Sequence, residues 1–342
     1  MRSKRWIGAT VVVTGATGLL GGWLVRTLLA RGARVIAVVR SSKPKSQFYL
    51  EGLDRQVEIE AGSVYVHGFI RDVIQRIRPD YFFHTAYGAD LNRVLVEPLE
   101  CFRSSVESTW LALETIRKLG PRCVSVISSS DQAYGSQPDP APFKEERPLT
   151  PQHPYEVCKA SLDLAAQSFG KTYKLPVGIT RCGSFFGPYD FNFTRLIPRV
   201  IRSVVEGQPP SIHSDDYFAR EYLYVEEAAE AHLLLAERLS EDESLHGEAF
   251  NLSYGKAIDV VDIAHRIIKI CGANLEPMID NPSGVENRRL AMSTEKAKRL
   301  LDWTPRVDFQ ARLEQTVKWY RSYLTTTQER ASAANGVAMH SD

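Results

Sequence analysis

Hydrophobic and polar positions along this chain follow two periods. Short apolar runs rich in β-branched and aromatic residues read as buried strands at 11–13, 34–39, 57–60, 81–84, 124–128 and 177–181. Between them apolar residues recur every three or four positions. Leu19, Leu20, Trp23, Leu24, Leu28 and Leu29 form one helical stripe, and Val106, Trp110, Leu113 and Ile116 form another within a helix over 104–119 that Gly120-Pro121 stops. Strands alternating with helices predict an α/β fold: a doubly wound parallel sheet covered by helices on both faces.

The punctuation changes after Phe185. Gly187-Pro188-Tyr189-Asp190-Phe191-Asn192 and Gly207-Gln208-Pro209-Pro210 read as loops around a helix over 197–206, and further helices are expected over 226–239, 260–271, 293–301 and 309–324. This predicts a first domain over 1–186, to which some later segments return, and a smaller C-terminal substrate-binding subdomain over 187–324. From Thr325 to Asp342 the periodicity fades and a disordered tail is expected. There is no internal repeat.

Composition narrows the function classes. With 342 residues and 44% hydrophobic content, the chain can bury a large core. Its 42 Lys and Arg against 41 Asp and Glu give a net charge of +1, so no global field argues for nucleic acid or a membrane surface as partner. Five cysteines without a C-x-x-C pair argue against a disulfide framework and a zinc site, and no metal is expected. The basic start at Met1 to Trp6 leads into a short apolar strand rather than a signal peptide, and no apolar run is long enough to span a bilayer. A cytoplasmic protein is expected.

The first candidate site closes the first strand. Gly15, Gly18 and Gly21 in Val11-Val12-Val13-Thr14-Gly15-Ala16-Thr17-Gly18-Leu19-Leu20-Gly21 are spaced G-x-x-G-x-x-G between strand and helix. Such a turn needs unusual backbone angles and lets a diphosphate approach main-chain N–H groups at the positive end of the helix. This places Gly15, Thr17, Gly18, Leu19, Leu20 and Gly21 at the cofactor of a Rossmann-type fold. The second strand ends Val38-Val39-Arg40-Ser41-Ser42-Lys43 with no carboxylate for ribose hydroxyls, so Arg40 and Ser41 point to the 2′-phosphate of NADP, with NAD as the alternative and a solvated loop as the non-functional reading. Ser63 and Val64 follow the third strand, where an adenine-facing residue is useful.

The candidate chemistry lies at Tyr155-Glu156-Val157-Cys158-Lys159. On a helix, positions four apart share a face, so the Tyr155 phenol and Lys159 ammonium can flank one site, and a nearby ammonium favours the phenolate that takes a proton from an alcohol. Ser128-Ser129-Ser130 at the end of a strand supplies hydroxyls.

With these pieces the chain resembles the extended short-chain dehydrogenase/reductase family, within it the nucleotide-sugar epimerases and dehydratases, over residues 8–324. The shared motifs are the glycine loop, His84-Thr85-Ala86, Ser129-Ser130-Asp131-Gln132-Ala133-Tyr134-Gly135, Tyr155 to Lys159, Arg181 followed by Gly187-Pro188, and Arg220-Glu221-Tyr222-Leu223-Tyr224-Val225. The resemblance implies that Ser130 bonds the reacting sugar oxygen, Tyr155 is the acid/base and Lys159 holds the nicotinamide ribose. Thr85, Ala86, Ser128 and Arg181 are implied at the cofactor. Tyr87, Ser184, Asn192, Phe193, Arg195 and Leu196 are implied at the sugar nucleotide, whose diphosphate Arg220 and Arg288 bind. It further implies a homodimer joined through helices 104–119 and 155–171, with Trp110, Leu113, Leu162 and Leu164 as apolar surface.

The departures from the family bear on the reaction. Hexose 4,6-dehydratases carry Thr-Asp-Glu where this chain has Ser130-Asp131-Gln132; the acid is kept, but a neutral amide replaces the base. The CDP-glucose dehydratase branch, with Ser-Asp-Lys, is nearer in this motif. Ser105 and Ser184 stand where members often carry asparagine. Three readings follow: a nucleotide-sugar 4,6-dehydratase, with Tyr155, Glu156 or Asp90 as C5 base; a 4-epimerase or related oxidoreductase, which Gln132 does not impair; and a non-catalytic NADP-binding protein on the same fold.

Overall fold

The computed structural model describes residues 4–87, 91–120, 122–135, 141–212, 219–279 and 291–338. Six strands, β1 (Thr10–Thr14), β2 (Arg34–Val39), β3 (Glu58–Ala61), β4 (Tyr81–His84), β5 (Val124–Ser128) and β6 (Val177–Cys182), join a seventh, Ala249–Leu252, in one sheet. Every pairing is parallel, and the order runs from Ala249–Leu252 through β6, β5, β4, β1 and β2 to β3. Burial explains the sequence pattern. The inner strands β1, β4, β5 and β6 are buried almost throughout and read as mainly apolar runs, interrupted by Ser125 in β5 and by Thr180 and Arg181 in β6, whereas the edge strand β3 is largely exposed. The strand order reverses between β1 and β4, the place where open α/β sheets hold ligands at the carboxyl ends of their strands.

The chain divides into two compact units, Met1–Phe185 with Glu221–Lys256 and Leu290–Pro305, and Phe186–Arg220 with Ala257–Arg289 and Arg306–Asp342. Two helices expected in the C-terminal subdomain therefore belong to the first unit. Val225–Leu239 packs against Leu19–Ala30, where Arg31 pairs with Glu230 and Glu237, and the Trp6 indole N–H donates to Glu237. Glu295–Leu301 lies against the strand Ala249–Leu252, and Lys296 bonds Glu248 at 2.6 Å. Between them the strand Ala249–Leu252, whose apolar run is broken by Asn251, also returns to the first unit and extends its sheet beside β6.

In the second unit, the helices Leu196–Val205, Val260–Cys271 and Phe309–Ala338 pack together, with the short pairs Ser211–Ile212/Met278–Ile279 and Ala219–Arg220/Ile258–Asp259. Phe186 meets Phe309, and Trp319 gathers Tyr189, Phe191 and Tyr323. The last helix continues through Ala338, past the point where a disordered tail was expected; Gln328, Glu329, Arg330, Ala331, Ala333 and Ala334 are helix formers that need no apolar stripe. No helix among the described residues is long and apolar enough to cross a membrane.

The expected helix over 104–119 begins with a π-helical turn, Arg103–Glu107, before the α-helix Ser108–Leu119. Leu113 and Leu162, read above as interface surface, are fully buried in the core. Trp110 and Leu164 are 52% and 55% exposed. The stripe was therefore two faces: Leu113 and Ile116 turn inward, and Trp110 meets Phe169 edge to face on the outside.

Candidate active site

The glycine loop is shaped by what it touches. Gly15 has φ +72°, and a Cβ there would stand 3.0 Å from the backbone of Ala86. A Cβ on Gly21 would fall 2.0 Å from the Gly15 carbonyl oxygen, so the helix can start this close to its own loop only with glycine. Helix Leu19–Ala30 begins at Gly18 with no side-chain cap, leaving its first-turn N–H groups to an outside acceptor. That cradle fits the diphosphate of a dinucleotide.

A buried hydroxyl fastens the loop to β4. Thr14 Oγ accepts from the N–H groups of Thr85 at 3.0 Å and Ala86 at 3.2 Å, while the Thr85 hydroxyl donates to the Thr14 carbonyl at 2.6 Å. With both N–H groups pointing at it, the Thr14 hydroxyl spends its proton on His84 Nδ1, 2.7 Å away. His84 Nε2–H then donates to Ser108 Oγ at 2.9 Å, and Ser108 donates at 2.5 Å to the Ser104 carbonyl in the π-helical turn. Burial, with the nearby charge of Lys159, pushes His84 down to about 3. A neutral imidazole is what the pattern requires.

The helix Pro154–Tyr173 is pinned at its start. His153 Nδ1 accepts from Tyr155 N–H at 3.2 Å, and Glu156 Oε2 accepts from the N–H groups of His153 at 3.1 Å and Gln152 at 2.9 Å. Glu156 is thus a cap rather than a base. One turn on, Lys159 is buried, donates from Nζ to the Ser128 carbonyl at 3.0 Å, and sits 3.6 Å from the Tyr87 ring and 5.9 Å from the Tyr155 ring. Burial pulls its ammonium down to about 7, against smaller opposing effects of neighbouring thiols and Asp163. The Tyr87 hydroxyl donates to the His84 carbonyl at 2.8 Å.

Beyond β5 the chain turns into a short 3-10 helix, Asp131–Tyr134. Ser130 caps it, accepting from Gln132 N–H at 3.2 Å, and donates to Asp131 Oδ1 at 2.8 Å; Asp131 is only 4% exposed and Gln132 is half-buried. The structure therefore gathers Ser128, Ser130, Asp131, Gln132, Tyr155, Lys159 and Tyr87 at the carboxyl ends of β4 and β5.

Other expected residues fare differently. Arg181 is not a cofactor ligand. It is buried, bidentate to Asp163 at 2.8 and 2.9 Å, and donates to the Tyr134 hydroxyl and the Glu145 carbonyl, so the guanidinium supports the floor of the site. Breaking such a buried pair costs about 3–5 kcal/mol. Arg40 is exposed after β2, its guanidinium over the Tyr65 ring at 4.9 Å, and Ser41 is exposed beside it. Ser63 Oγ accepts from Tyr65 N–H within its own turn, and Val64 enters the core. Ser184 is exposed in the short strand Ser184–Phe186. In the second unit, Asn192 Oδ1 closes a turn by accepting from Thr194, Phe193 lies under the Arg202 guanidinium, Arg195 bonds the buried Asp190 at 3.1 Å and immediately precedes the helix that Leu196 opens without capping it, and Arg220 ends the strand Ala219–Arg220. Arg288 and Asp90 lie outside the described residues, among which no cluster of His, Cys, Asp or Glu could hold a metal ion.

Two groups escaped the sequence reading. His84 ends an apolar run and carries no spacing signal, although its motif was visible. Glu221, beside Arg220, turns into the protein, where it accepts from the N–H groups of Met292 and Lys256 at 3.1 Å each; burial raises it to about 7.

A parallel sheet with an uncapped glycine loop at its switch point and a Tyr-x-x-x-Lys helix beside it defines a dinucleotide-dependent enzyme of the short-chain dehydrogenase/reductase class. Residues 11–253 match the NAD dependent epimerase/dehydratase family, and the chain belongs to that family. It is 30% identical to the dTDP-glucose 4,6-dehydratase of Xanthomonas campestris, over 94% of this chain and 95% of the relative, and 27% identical to a probable dTDP-glucose 4,6-dehydratase of Sinorhizobium fredii, over 91% and 92%. Among solved structures, the Bacillus anthracis dTDP-glucose 4,6-dehydratase in complex with NAD superposes with a TM-score of 0.79 at 26% identity, covering 92% of this chain and 97% of that one. The Thermotoga maritima UDP-glucose 4-epimerase with UDP-glucose gives 0.81 at 25%, covering 92% and 99%.

The buried His84 yields a pH dependence. Its folded value of about 3 lies below its ordinary 6.5, so between these values the unfolded chain binds the extra proton and stability falls as pH falls. Over that window His84 removes about 1.4 kcal/mol per pH unit. Urea midpoints measured against pH should show a shallower acid slope in His84→Gln than in the wild type; parallel slopes contradict the neutral buried imidazole.

Proposed function

We propose that the protein is a nucleotide-hexose 4,6-dehydratase that works through transient oxidation of the sugar at C4. The observation that carries this is the buried Asp131 carboxyl, bonded to Ser130 in the short 3-10 helix that packs against the helix of Tyr155 and Lys159. Tyr155 takes the proton of the C4 hydroxyl, with Ser130 turning from Asp131 to the same oxygen. Lys159 would hold the nicotinamide ribose and favour the phenolate of Tyr155. Asp131 protonates the departing C6 hydroxyl, a role suited to an acid in a water-poor site. Gly15, Thr17, Gly18, Leu19, Leu20 and Gly21 would cradle the diphosphate of a dinucleotide, whose nicotinamide would supply the hydride acceptor and donor for the sugar. The named relatives make dTDP-glucose the first sugar nucleotide to test.

One observation favours a second reading, a 4-epimerase: Gln132 cannot take the C5 proton, and Glu156 is bound up in its capping box. In the dehydratase, Tyr155 is the base left among the described candidates, and it can take the C5 proton only after passing the C4 proton on through Ser130 to Asp131, where that proton leaves with the C6 hydroxyl as water.

Wild type incubated with dTDP-glucose and other nucleotide hexoses in deuterated water should give a product lighter by one water and carrying deuterium at C5. Asp131→Asn should still reduce its bound cofactor but release no such product. A product of unchanged mass with inverted C4 overturns the dehydratase in favour of the epimerase.

For the cofactor we favour NADP. Arg40 and Ser41 follow β2 where a ribose-binding carboxylate would otherwise stand, and Tyr65 steadies the Arg40 guanidinium. By calorimetry NADP should bind more tightly than NAD, with Arg40→Asp reversing the order; tighter NAD binding by the wild type overturns this choice.

The exposed Trp110, Leu119, Val157, Leu164 and Tyr173 lie on two adjacent helices and suit a homodimer. Light scattering should give twice the chain mass, reduced to one by Leu164→Glu, and a monomeric wild type rejects the dimer.

A further inference from the structure

Two cysteines that no step above uses meet under the helix carrying Tyr155 and Lys159. Cys101 lies in the short helix Pro98–Phe102, and Cys158 immediately precedes Lys159. Both are buried, and with Val94 they form a small cluster against which Val106 and Tyr155 pack. The two side chains pack in this one cluster, and Cys101 Sγ is 3.9 Å from Ser105 Oγ.

The environment separates this pair from the other buried thiols. Burial pushes Cys123 and Cys182 up to about 12. Cys101 is instead held down at about 7, by the hydrogen bond from Cys158 first, and then by Ser105 and the charge of Lys159, against the opposing effect of burial. The thiolate is the nucleophilic form of cysteine, so Cys101 is the sulfur that a small oxidant meets as an anion.

We propose that Cys101 and Cys158 form an oxidisable pair that closes to a disulfide under a hydroperoxide and switches off the neighbouring Tyr155–Lys159 site. The Cys101 thiolate attacks one peroxide oxygen. The O–O bond breaks, and the protonated leaving oxygen departs as water, leaving a sulfenic acid. The Cys158 thiol loses its proton and attacks that sulfur. An S–S bond forms, the S–O bond breaks, and the second oxygen leaves as water. Two thiols and one hydrogen peroxide thus give one disulfide and two waters, a two-electron oxidation of the pair, and a dithiol reductant reverses it.

Closing the bond draws the two sulfurs to about 2 Å. The strain falls on the helix turn that holds Tyr155 and Lys159, because Tyr155 rests on the same cluster and Lys159 is the next residue. A displacement of this size lowers turnover by on the order of a hundredfold. That consequence rests on the catalytic reading of Tyr155 and Lys159; the crosslink does not.

The test treats the intact chain with hydrogen peroxide, blocks the remaining thiols with iodoacetamide and digests with trypsin. Peptides 94–103 and 145–159, containing Cys101 and Cys158, should appear joined and two hydrogens lighter than their sum. Turnover on the nucleotide hexose should fall by about a hundredfold and return with dithiothreitol, while Cys101→Ala and Cys158→Ala should each keep their turnover in the same peroxide. Both cysteines still alkylated, or carrying separate sulfinic acids, overturns the pair; linked peptides with unchanged turnover overturn the switch. A wild type that turns over no nucleotide hexose before treatment counts against the catalytic reading and takes the switch with it, while the peptide masses decide the pair by themselves.

Discussion

The structure depends most on one buried hydroxyl. Thr14 closes β1 by accepting two backbone N–H groups from the end of β4 and passing its own proton to His84, which hands the chain of bonds on to Ser108 and the π-helical turn. Every bond has one workable direction once the imidazole is neutral. The glycine loop therefore cannot move independently of β4, and Gly15 has no room for a side chain because Ala86 is held against it. A net hydrogen bond contributes only about 1 kcal/mol, but a buried donor or acceptor left without its partner costs about 1–3 kcal/mol. Rigidity at the switch point comes from that asymmetry.

The same neighbourhood concentrates charge in a dry place. Lys159 is buried, with the Ser128 carbonyl and the Tyr87 ring against its ammonium and cysteine thiols and Asp163 acting more weakly on it, and its lowered affinity for a proton is the sign of an ammonium short of solvation. An anionic oxygen arriving beside it, whether from Tyr155 or from a ligand, relieves that deficit. The floor beneath is made the opposite way. Arg181, Asp163, Tyr134 and Asn251 are fully bonded to one another, so they hold their places and offer little to a ligand.

Much of this was legible in the chain. The strands of the sheet, the glycine loop and the Tyr155/Lys159 pair carry local signals: β-branched runs, G-x-x-G-x-x-G and a four-residue spacing. What stayed hidden depends on partners far away in sequence. Arg181 looked like a ligand because nothing near it in the chain foretold Asp163. Trp110 and Leu113 looked alike until the helix acquired an inner and an outer face. Ala249–Leu252 carries the polar Asn251 in mid-run and lies far from the other strands in sequence, so it was not read as part of the sheet, and the helices flanking it were placed in the other unit. His84 and Glu221 are single polar residues in apolar surroundings, visible only once burial is known.

The idea on which the enzyme reading turns is that Tyr155, backed by Lys159, is the acid/base of this site. Under single turnover with a nucleotide hexose, the absorbance of reduced nicotinamide measures the C4 oxidation directly. In Tyr155→Phe the dinucleotide should still bind with an affinity within a few-fold of wild type, while the rate of reduction falls by roughly 10²–10⁴. A variant that reduces its cofactor at close to the wild-type rate would contradict that assignment.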